Sequence, residues 1–224
     1  MKYIKLLIAG GNSTLLVWGC PPEKKSTVIE KYLGEVEQVG FVETKNNLPF
    51  LNMMGNELCI NGTLALAKTL KNNGLLYTSG YPQFIEYRNY KKTTAIKLTI
   101  PYIKKGDIIL LSGIGYVYVQ EKKVITKKLL LSLCNKYQLP AFGAIIYKNK
   151  TLFPYVYVQQ TESLIQETAC GSGSIALSLL KGIKQINQTT GKQIIVKKAE
   201  SEFLIQAEVT ELPPPNSAER KNYI

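Results

Sequence analysis

Short apolar runs separated by polar or glycine breaks fill most of the chain, and this pattern predicts more strands than helices. The runs YIKLLIA at 3–9 and STLLVWG at 13–19 predict two strands joined by a turn at Gly10-Gly11-Asn12. Comparable runs predict further strands at 37–43, 48–54, 83–90, 94–100, 107–112, 116–120, 142–148, 152–159, 192–198 and 202–209.

Four segments carry the signals of helices. Pro21-Pro22-Glu23 precedes a predicted helix at 26–33, because proline is favoured at a helix start. Asn72-Asn73-Gly74 is expected to end a second helix that begins at Asn61. The other two helices are predicted at 126–137 and 172–183. The sequence therefore predicts an α+β protein with many strands and one strongly apolar helix in each half.

One short phrase occurs twice in the chain, once in each half. CINGTLAL begins at Cys59 and CGSGSIAL begins at Cys170, so the two copies are 170 − 59 = 111 residues apart. This offset suggests a duplication, with a first domain at 1–105 and a second domain at 106–224. The final segment LPPPNSAERKNYI is expected either to return to the first domain or to form a tail.

The net charge of +12 invites comparison with nucleic-acid-binding proteins, but its composition argues against that class. Arg88 and Arg220 are the only arginines, and arginine is the residue that reads guanine bidentately and stacks on bases. The lysines are scattered rather than gathered in one basic block. We therefore expect no nucleic-acid partner.

The four cysteines form no CxxC pair, and the chain contains no histidine. A zinc site is therefore not expected, and a disulfide framework does not suit a chain of this size. The apolar stretch at the N-terminus is interrupted at Gly10-Gly11-Asn12, which makes it too short for a signal peptide. No stretch is long enough to span a membrane. We expect a cytoplasmic protein with free thiols and no membrane partner.

Cysteine at the start of a helix has useful chemistry. The first N–H groups of a helix lack partners within the helix, and they favour negative charge beyond its end. They are expected to lower the pKa of a thiol and to hold a substrate carboxylate. Ile60 and Asn61 after the first cysteine, and Gly171 and Ser172 after the second, are the candidate residues for these two cradles.

If the two cradles face each other, a thiolate on one side could remove an α-proton while a thiol on the other side delivers one. This two-base mechanism inverts a stereocentre without a cofactor or a metal, and it assigns the catalytic roles to Cys59 and Cys170. Cys20 and Cys134 have no such setting and are expected to be small buried hydrophobes.

At these residues the sequence resembles the pyridoxal-phosphate-independent amino-acid racemases and epimerases of the diaminopimelate epimerase fold. ETACGSGS at 167–174 is similar to the second-cysteine motif of that family, and GNELCINGTLALA at 55–67 is similar to the first. GGNSTLLV at 10–17 resembles its N-terminal strand turn. Ile60 departs from the family pattern, which has glycine directly after the first cysteine.

The resemblance implies two pseudo-symmetric domains, each a strand barrel or sheet wrapped around a central helix, with the site in the cleft between them. It also implies an isomerase, with Cys59 and Cys170 as the acid and base. The same resemblance assigns contacts with the substrate to Asn12, Glu37, Asn52 and Glu167.

Within this family the phrases at 37–44, 53–59 and 162–173 resemble the histidine racemases of staphylopine-type metallophore biosynthesis. Ser163 stands where diaminopimelate epimerases carry an arginine for the distal carboxylate of their substrate. Glu37 supplies negative charge instead, which suits histidine or another basic or polar amino acid.

Several alternatives stay open at this stage. They are a diaminopimelate epimerase, another isomerase of the same fold, and a relative that binds an amino acid without catalysis. The expected partner is in each case a small molecule, and a homodimer is a further possibility.

Overall fold

The computed structural model describes residues 1–121 and 123–212, and the predicted tail at 213–224 lies outside the described residues. Within these residues there are sixteen strands and four α-helices. The helices are α1 (Lys25–Tyr32, after a 3-10 turn at Pro22–Lys24), α2 (Ile60–Lys68), α3 (Lys127–Tyr137) and α4 (Gly171–Lys181). The α+β class predicted from the sequence is confirmed.

The strands of the first half are β1 (Lys2–Ile8), β2 (Ser13–Trp18), β3 (Gln38–Lys45), β4 (Leu48–Met53), β5 (Asn73–Thr78), β6 (Ile85–Asn89), β7 (Thr93–Thr99) and β8 (Ile103–Lys105). The remaining strands are β9 (Ile108–Leu111), β10 (Ile114–Tyr118), β11 (Ala141–Lys148), β12 (Thr151–Val158), β13 (Ser163–Gln166), β14 (Gln185–Asn187), β15 (Gln193–Ala199) and β16 (Glu202–Glu211).

The strands form a single sheet that curls on itself. From β1 to β7 each strand pairs with the next one in the chain, and β7 then pairs with β16. The end of β16 pairs with β1 at Val209–Glu211, which closes this part of the sheet into a barrel. Residues 202–207 of β16 also pair with β15, on the edge opposite β7, and the sheet continues from β15 to the strands of the second half.

The same order of elements occurs on both sides of β8. In the first half β2 and β3 are parallel and enclose α1, while β4 and β5 are parallel and enclose α2. In the second half β10 and β11 are parallel and enclose α3, while β12 and β14 are parallel and enclose α4.

Helices α2 and α4 form the centre of the molecule. Each is buried over its first two turns, and the small residues of both sequences allow strands to approach the helix closely. The strands around α2 belong to the barrel, and α4 packs on β9, β10, β11 and β15. No helix within the described ranges has the length and apolarity needed to cross a membrane.

Candidate active site

Cys59 and Cys170 are the N-cap residues of α2 and α4. Sγ of Cys59 accepts a hydrogen bond from the Gly62 amide at 3.2 Å, and Sγ of Cys170 accepts one from the Gly173 amide at 3.2 Å. A cysteine sulfur therefore takes the place that a serine or aspartate oxygen usually has at a helix N-cap. The repeated phrase in the sequence produces the same local structure twice.

The N-termini of the two helices meet directly through the side chain of Asn61. Its Nδ2 donates to the carbonyl of Ala169 at 2.8 Å, and its Oδ1 accepts from the amide of Gly171 at 2.9 Å. Ile60 is fully buried beside this contact, where a Cβ added to Gly171 would lie 2.3 Å from its Cγ2 atom. The bulky residue that departs from the family pattern thus fits against a glycine of the opposite helix.

A cavity opens next to this junction. It is lined by polar groups, namely Glu37, Gln38, Glu57, Cys59, Asn61, Tyr116, Glu167 and Ser172, and by an apolar wall of Met54, Leu58, Ile114, Val156, Val158 and Ile165. The polar groups come from both halves of the chain. This is the site that the two cysteine-capped helices define.

Gln38, a residue that the sequence did not single out, controls the surroundings of Cys59. Its Oε1 accepts a hydrogen bond from the Cys59 thiol at 3.0 Å. Its Nε2 donates to Oδ1 of Asn12 at 2.9 Å and to Oγ1 of Thr14 at 2.7 Å. All four side chains are buried, so this network is screened from water.

Cys170 has a different set of partners. Its sulfur lies 3.3 Å from the hydroxyl of Tyr116 and 3.7 Å from the hydroxyl of Ser172, and these two hydroxyls are 2.7 Å apart. Tyr116 and Ser172 line the cavity, whereas Cys170 is 1% exposed and sits in contact with them.

Asn12 joins two carboxylates that belong to different halves of the chain. Its Nδ2 donates to Oε2 of Glu37 at 2.9 Å and to Oε1 of Glu167 at 3.2 Å. Glu37 also accepts from the hydroxyl of Thr168 at 2.6 Å. Burial, followed by the negative charge of Glu37, raises the pKa of Glu167 to about 8.

A third carboxylate, Glu57, lies in the loop between β4 and α2, two residues before Cys59. It is 5% exposed, and its Oε2 atom has no hydrogen-bond partner among the described residues. Burial raises the pKa of this carboxyl group. A weak signal for this residue is present in the sequence, because Glu57 is the only charged residue between Lys45 and Lys68.

The expected lowering of the thiol pKa is not what the structure shows. The amides at each helix start do favour the thiolate, but burial outweighs them and raises the pKa of both Cys59 and Cys170. Nearby negative charge adds to the effect, from Glu57 and Glu167 at Cys59 and from Glu167 at Cys170.

Most of the residues singled out in the sequence meet at this junction, but three have other positions. Asn52 lines a separate surface pocket with residues of α1, away from the cysteines. Ile60 and Gly171 contact each other rather than the cavity, and the Gly171 amide is already bonded to Asn61. Cys134 is buried as expected, whereas Cys20 is half-buried.

Comparison with known proteins concerns the chain as a whole. Two histidine racemases, from two strains of Fusobacterium nucleatum subsp. nucleatum, are each 26% identical to the chain over 264 aligned residues. Each alignment covers 100% of this chain and 97% of the relative. No protein-family model matches the chain.

Solved structures share the fold at low sequence identity. A predicted epimerase from Pseudomonas aeruginosa has a TM-score of 0.64 at 8% identity and covers 94% of this chain and 96% of its own. A putative phenazine biosynthesis PhzC/PhzF protein from Clostridium difficile has a TM-score of 0.60 at 12% identity, with the same two coverages. Taken with the sequence relatives, these similarities identify the chain as an isomerase of the racemase and epimerase class.

Proposed function

We propose that this isomerase is a cofactor-independent amino-acid racemase that acts on histidine or another cationic amino acid. The observation that carries the proposal is the junction of two cysteine-capped helices through Asn61, beside a cavity lined by carboxylates. The histidine racemases that align with the whole chain support the choice of substrate. A role in metallophore synthesis and a location in the cytoplasm stay predictions from the sequence.

The substrate carboxylate binds at the helix N-termini, where the amides of Asn61 and Ser172 lie at the start of α2 and α4. The α-ammonium group binds Glu37 and Glu167, which Asn12 holds together. In the proposed binding mode the α-carbon lies between the two sulfurs. The Ser172 hydroxyl gives way as the substrate approaches Cys170.

One thiolate removes the α-proton, and the opposite thiol then gives its own proton to the other face of the planar intermediate. The sulfurs exchange protonation states in each turnover, so no net proton is gained or lost. Gln38 holds Cys59 as a proton donor in the free protein, which makes Cys170 the base for one direction of the reaction. In the reverse direction the roles are exchanged.

Binding of a cationic substrate also activates the thiols. The carboxylates of Glu57 and Glu167 raise the pKa of Cys59, and Glu167 does the same to Cys170. Positive charge in the same cavity offsets this effect, and the thiolate forms more easily when the substrate is bound. The free protein keeps both thiols in the less reactive protonated form. The thiol that acts as the base releases its proton to solvent when the substrate binds, and the sulfur that ends the turnover as a thiolate takes one up from solvent after product release.

The cavity does not suit diaminopimelate, whose distal carboxylate needs a fixed cation. No arginine or lysine is present among the described residues that line it. Ser163 stands where diaminopimelate epimerases carry an arginine, and its neighbour Glu162 forms an ion pair with Lys127 on the surface at 3.2 Å. The substrate side chain therefore meets carboxylates and apolar groups.

We further propose that the chain consists of two pseudo-symmetric halves, 1–105 and 106–224, that arose by duplication. The matching order of parallel strand pairs around α1 and α2, and around α3 and α4, supports this. Under this proposal the site forms where the two halves meet, and the final strand β16 joins them.

Proton NMR in deuterated buffer tests the proposed reaction. With L-histidine, L-lysine and L-ornithine as substrates, we expect loss of the α-proton signal, and chiral chromatography of the same samples should show the D-enantiomer. Cys59→Ser and Cys170→Ser should each slow this exchange by about 10²- to 10⁴-fold. Cys20→Ser is the matched control and should keep full activity, because Cys20 is remote from the cavity lining.

Full activity in both site variants would refute the two-base mechanism. A wild-type protein that binds these amino acids but exchanges no α-proton would instead be a non-catalytic binding protein. Exchange with diaminopimelate alone would establish the epimerase alternative.

A further inference from the structure

Glu57 is a buried carboxylate to which the reaction described above assigns no specific group of the substrate. Its Oε2 atom is buried and has no hydrogen-bond partner among the described residues. Burying a carboxylate oxygen without a hydrogen bond or an opposite charge is unfavourable. A ligand that donates a hydrogen bond or carries a positive charge would supply the partner that this oxygen lacks.

The residues around Oε2 indicate the chemical character of that ligand. A Cβ added to Gly55 would lie 2.6 Å from Oε2 of Glu57 and 2.1 Å from Cγ1 of Val158, so the carboxylate and the valine are neighbours over this glycine. Val156, Val158 and Glu57 all line the cavity. The local surface therefore matches a group that has an apolar body and a polar tip.

The charges that line the cavity favour a ligand whose polar end is positively charged. Glu37 and Glu167 both have Asn12 as a hydrogen-bond donor, whereas Oε2 of Glu57 has no partner among the described residues. The lining includes no lysine or arginine within the described chain. The described residues also contain no group of three or more histidine, cysteine or acidic side chains that could hold a metal ion.

We infer that Glu57 binds the cationic side chain of the substrate and sets the preference of the enzyme for basic amino acids. This inference rests on the proposed function, since it assigns the substrate side chain to the Glu57 end of the cavity. Glu37 and Glu167 then hold the α-ammonium group. Glu57 is a specificity residue rather than an acid or base.

Glu57→Gln tests this role, because the substitution preserves the shape of the side chain while removing its negative charge. On L-histidine, L-lysine and L-ornithine we expect kcat/KM to fall by about 10- to 100-fold, the loss typical of a hydrogen bond to a charged group. On L-glutamine and L-methionine, kcat/KM should stay within about threefold of wild type. Glu30→Gln, on the exposed face of α1, is the matched control and should change neither class.

Thermal unfolding separates a binding role from a structural one. Removing a buried charge that lacks a partner should leave the melting temperature of Glu57→Gln equal to or above that of wild type. An equal loss of activity on cationic and neutral substrates, or a variant with a lower melting temperature and unchanged selectivity, would overturn the inference.

The role of Glu57 can also be tested if the protein has no racemase activity. If the wild-type protein exchanges no α-proton of any amino acid, calorimetric binding of L-lysine and L-glutamine still tests Glu57. Selective loss of L-lysine binding in Glu57→Gln supports the inference, and equal binding of the two amino acids by the wild type refutes it.

Discussion

The side-chain oxygen of Gln38 lies 3.0 Å from the sulfur of Cys59 and accepts a hydrogen bond from its thiol. If the Gln38 amide were reversed, its oxygen would face the side-chain oxygen of Asn12. If Asn12 were reversed as well, the oxygen of Asn12 would face the carboxylates of Glu37 and Glu167. The hydrogen-bond network therefore fixes both amides. It also fixes Cys59 as a thiol in the free protein.

Gln38→Leu removes this acceptor while leaving an apolar side chain of similar length. We expect kcat for racemisation to fall by about 10- to 100-fold, because the thiol is no longer oriented toward the substrate, which is the kind of loss that small misplacements cause. KM should change less than kcat. Steady-state kinetics of the variant and of Gln83→Leu, an exposed control, measure the difference, and an unchanged kcat would contradict the role of Gln38.

The close fit between Ile60 and Gly171 predicts strong coupling between these two positions. Gly171→Ala places a Cβ 2.3 Å from Ile60 Cγ2 and should destabilise the protein by about 1–3 kcal/mol. Ile60→Ala should cost about 2–5 kcal/mol through the space it leaves. The double variant should be more stable than the sum of the two losses predicts, because each change relieves the other.

Urea unfolding of the four proteins gives this coupling energy. Gly34→Ala is a suitable control, since a Cβ there meets nothing within 4 Å and should have an effect of less than about 0.5 kcal/mol. Additive effects of Ile60→Ala and Gly171→Ala would show that the two helix starts do not press on each other.

Asn61→Ala should separate the ends of α2 and α4. The change leaves the Ala169 carbonyl and the Gly171 amide without their partner, and each unsatisfied buried group costs about 1–3 kcal/mol. We expect a loss of about 2–4 kcal/mol in unfolding free energy, together with a loss of racemase activity. Asn73→Ala, at an exposed position of β5, is the control. An unfolding transition that coincides with that of the wild type would rule out the bridge.

The raised pKa of Glu167 predicts how stability changes with pH. A carboxyl group with a folded pKa of about 8 and an ordinary value of 4.5 binds more protons in the folded state between these two pH values. The free energy of unfolding should therefore fall as the pH rises through this interval, by on the order of a few kcal/mol. Glu37 and Glu57 act in the same direction, because the pKa of each is also raised.

Urea unfolding at pH 5, 6, 7 and 8 tests this dependence. Glu167→Gln removes the titrating group, and its stability should vary less over the same interval than that of the wild type. If the wild type is instead most stable at pH 8, the folded protein does not hold the Glu167 carboxyl group protonated as its raised pKa predicts.

The sequence predicted the parts of this molecule that local signals define. Both cysteine-capped helices begin where the repeated phrase places them, and the longer strands match the apolar runs. The sequence does not predict β5, because Asn73-Gly74 is typical of the end of a helix, whereas α2 ends at Lys68 and these two residues begin the strand. The short strands β8, β13 and β14 carry too few residues to show a pattern.

The site could be predicted only in part, for a physical reason. Asn12, Glu37, Asn61 and Glu167 stand next to turns or motifs, whereas Gln38 and Tyr116 lie inside strands that read as ordinary sheet. The thiol pKa was expected to fall because the helix ends are visible in the sequence, but the degree of burial that raises it depends on the complete fold.

The last described strand has a consequence for how the protein folds during synthesis. Strand β16 pairs with β7, β15 and β1, so residues 202–211 close the barrel around α2 as well as the sheet beside α4. Until a ribosome has released this segment, the N-terminal half keeps two unpaired sheet edges, at β1 and β7. Contacts this distant in sequence slow folding and leave strand edges exposed. We therefore expect nascent chains that end before residue 202 to depend on chaperones, even though both cysteine-capped helices have already been made.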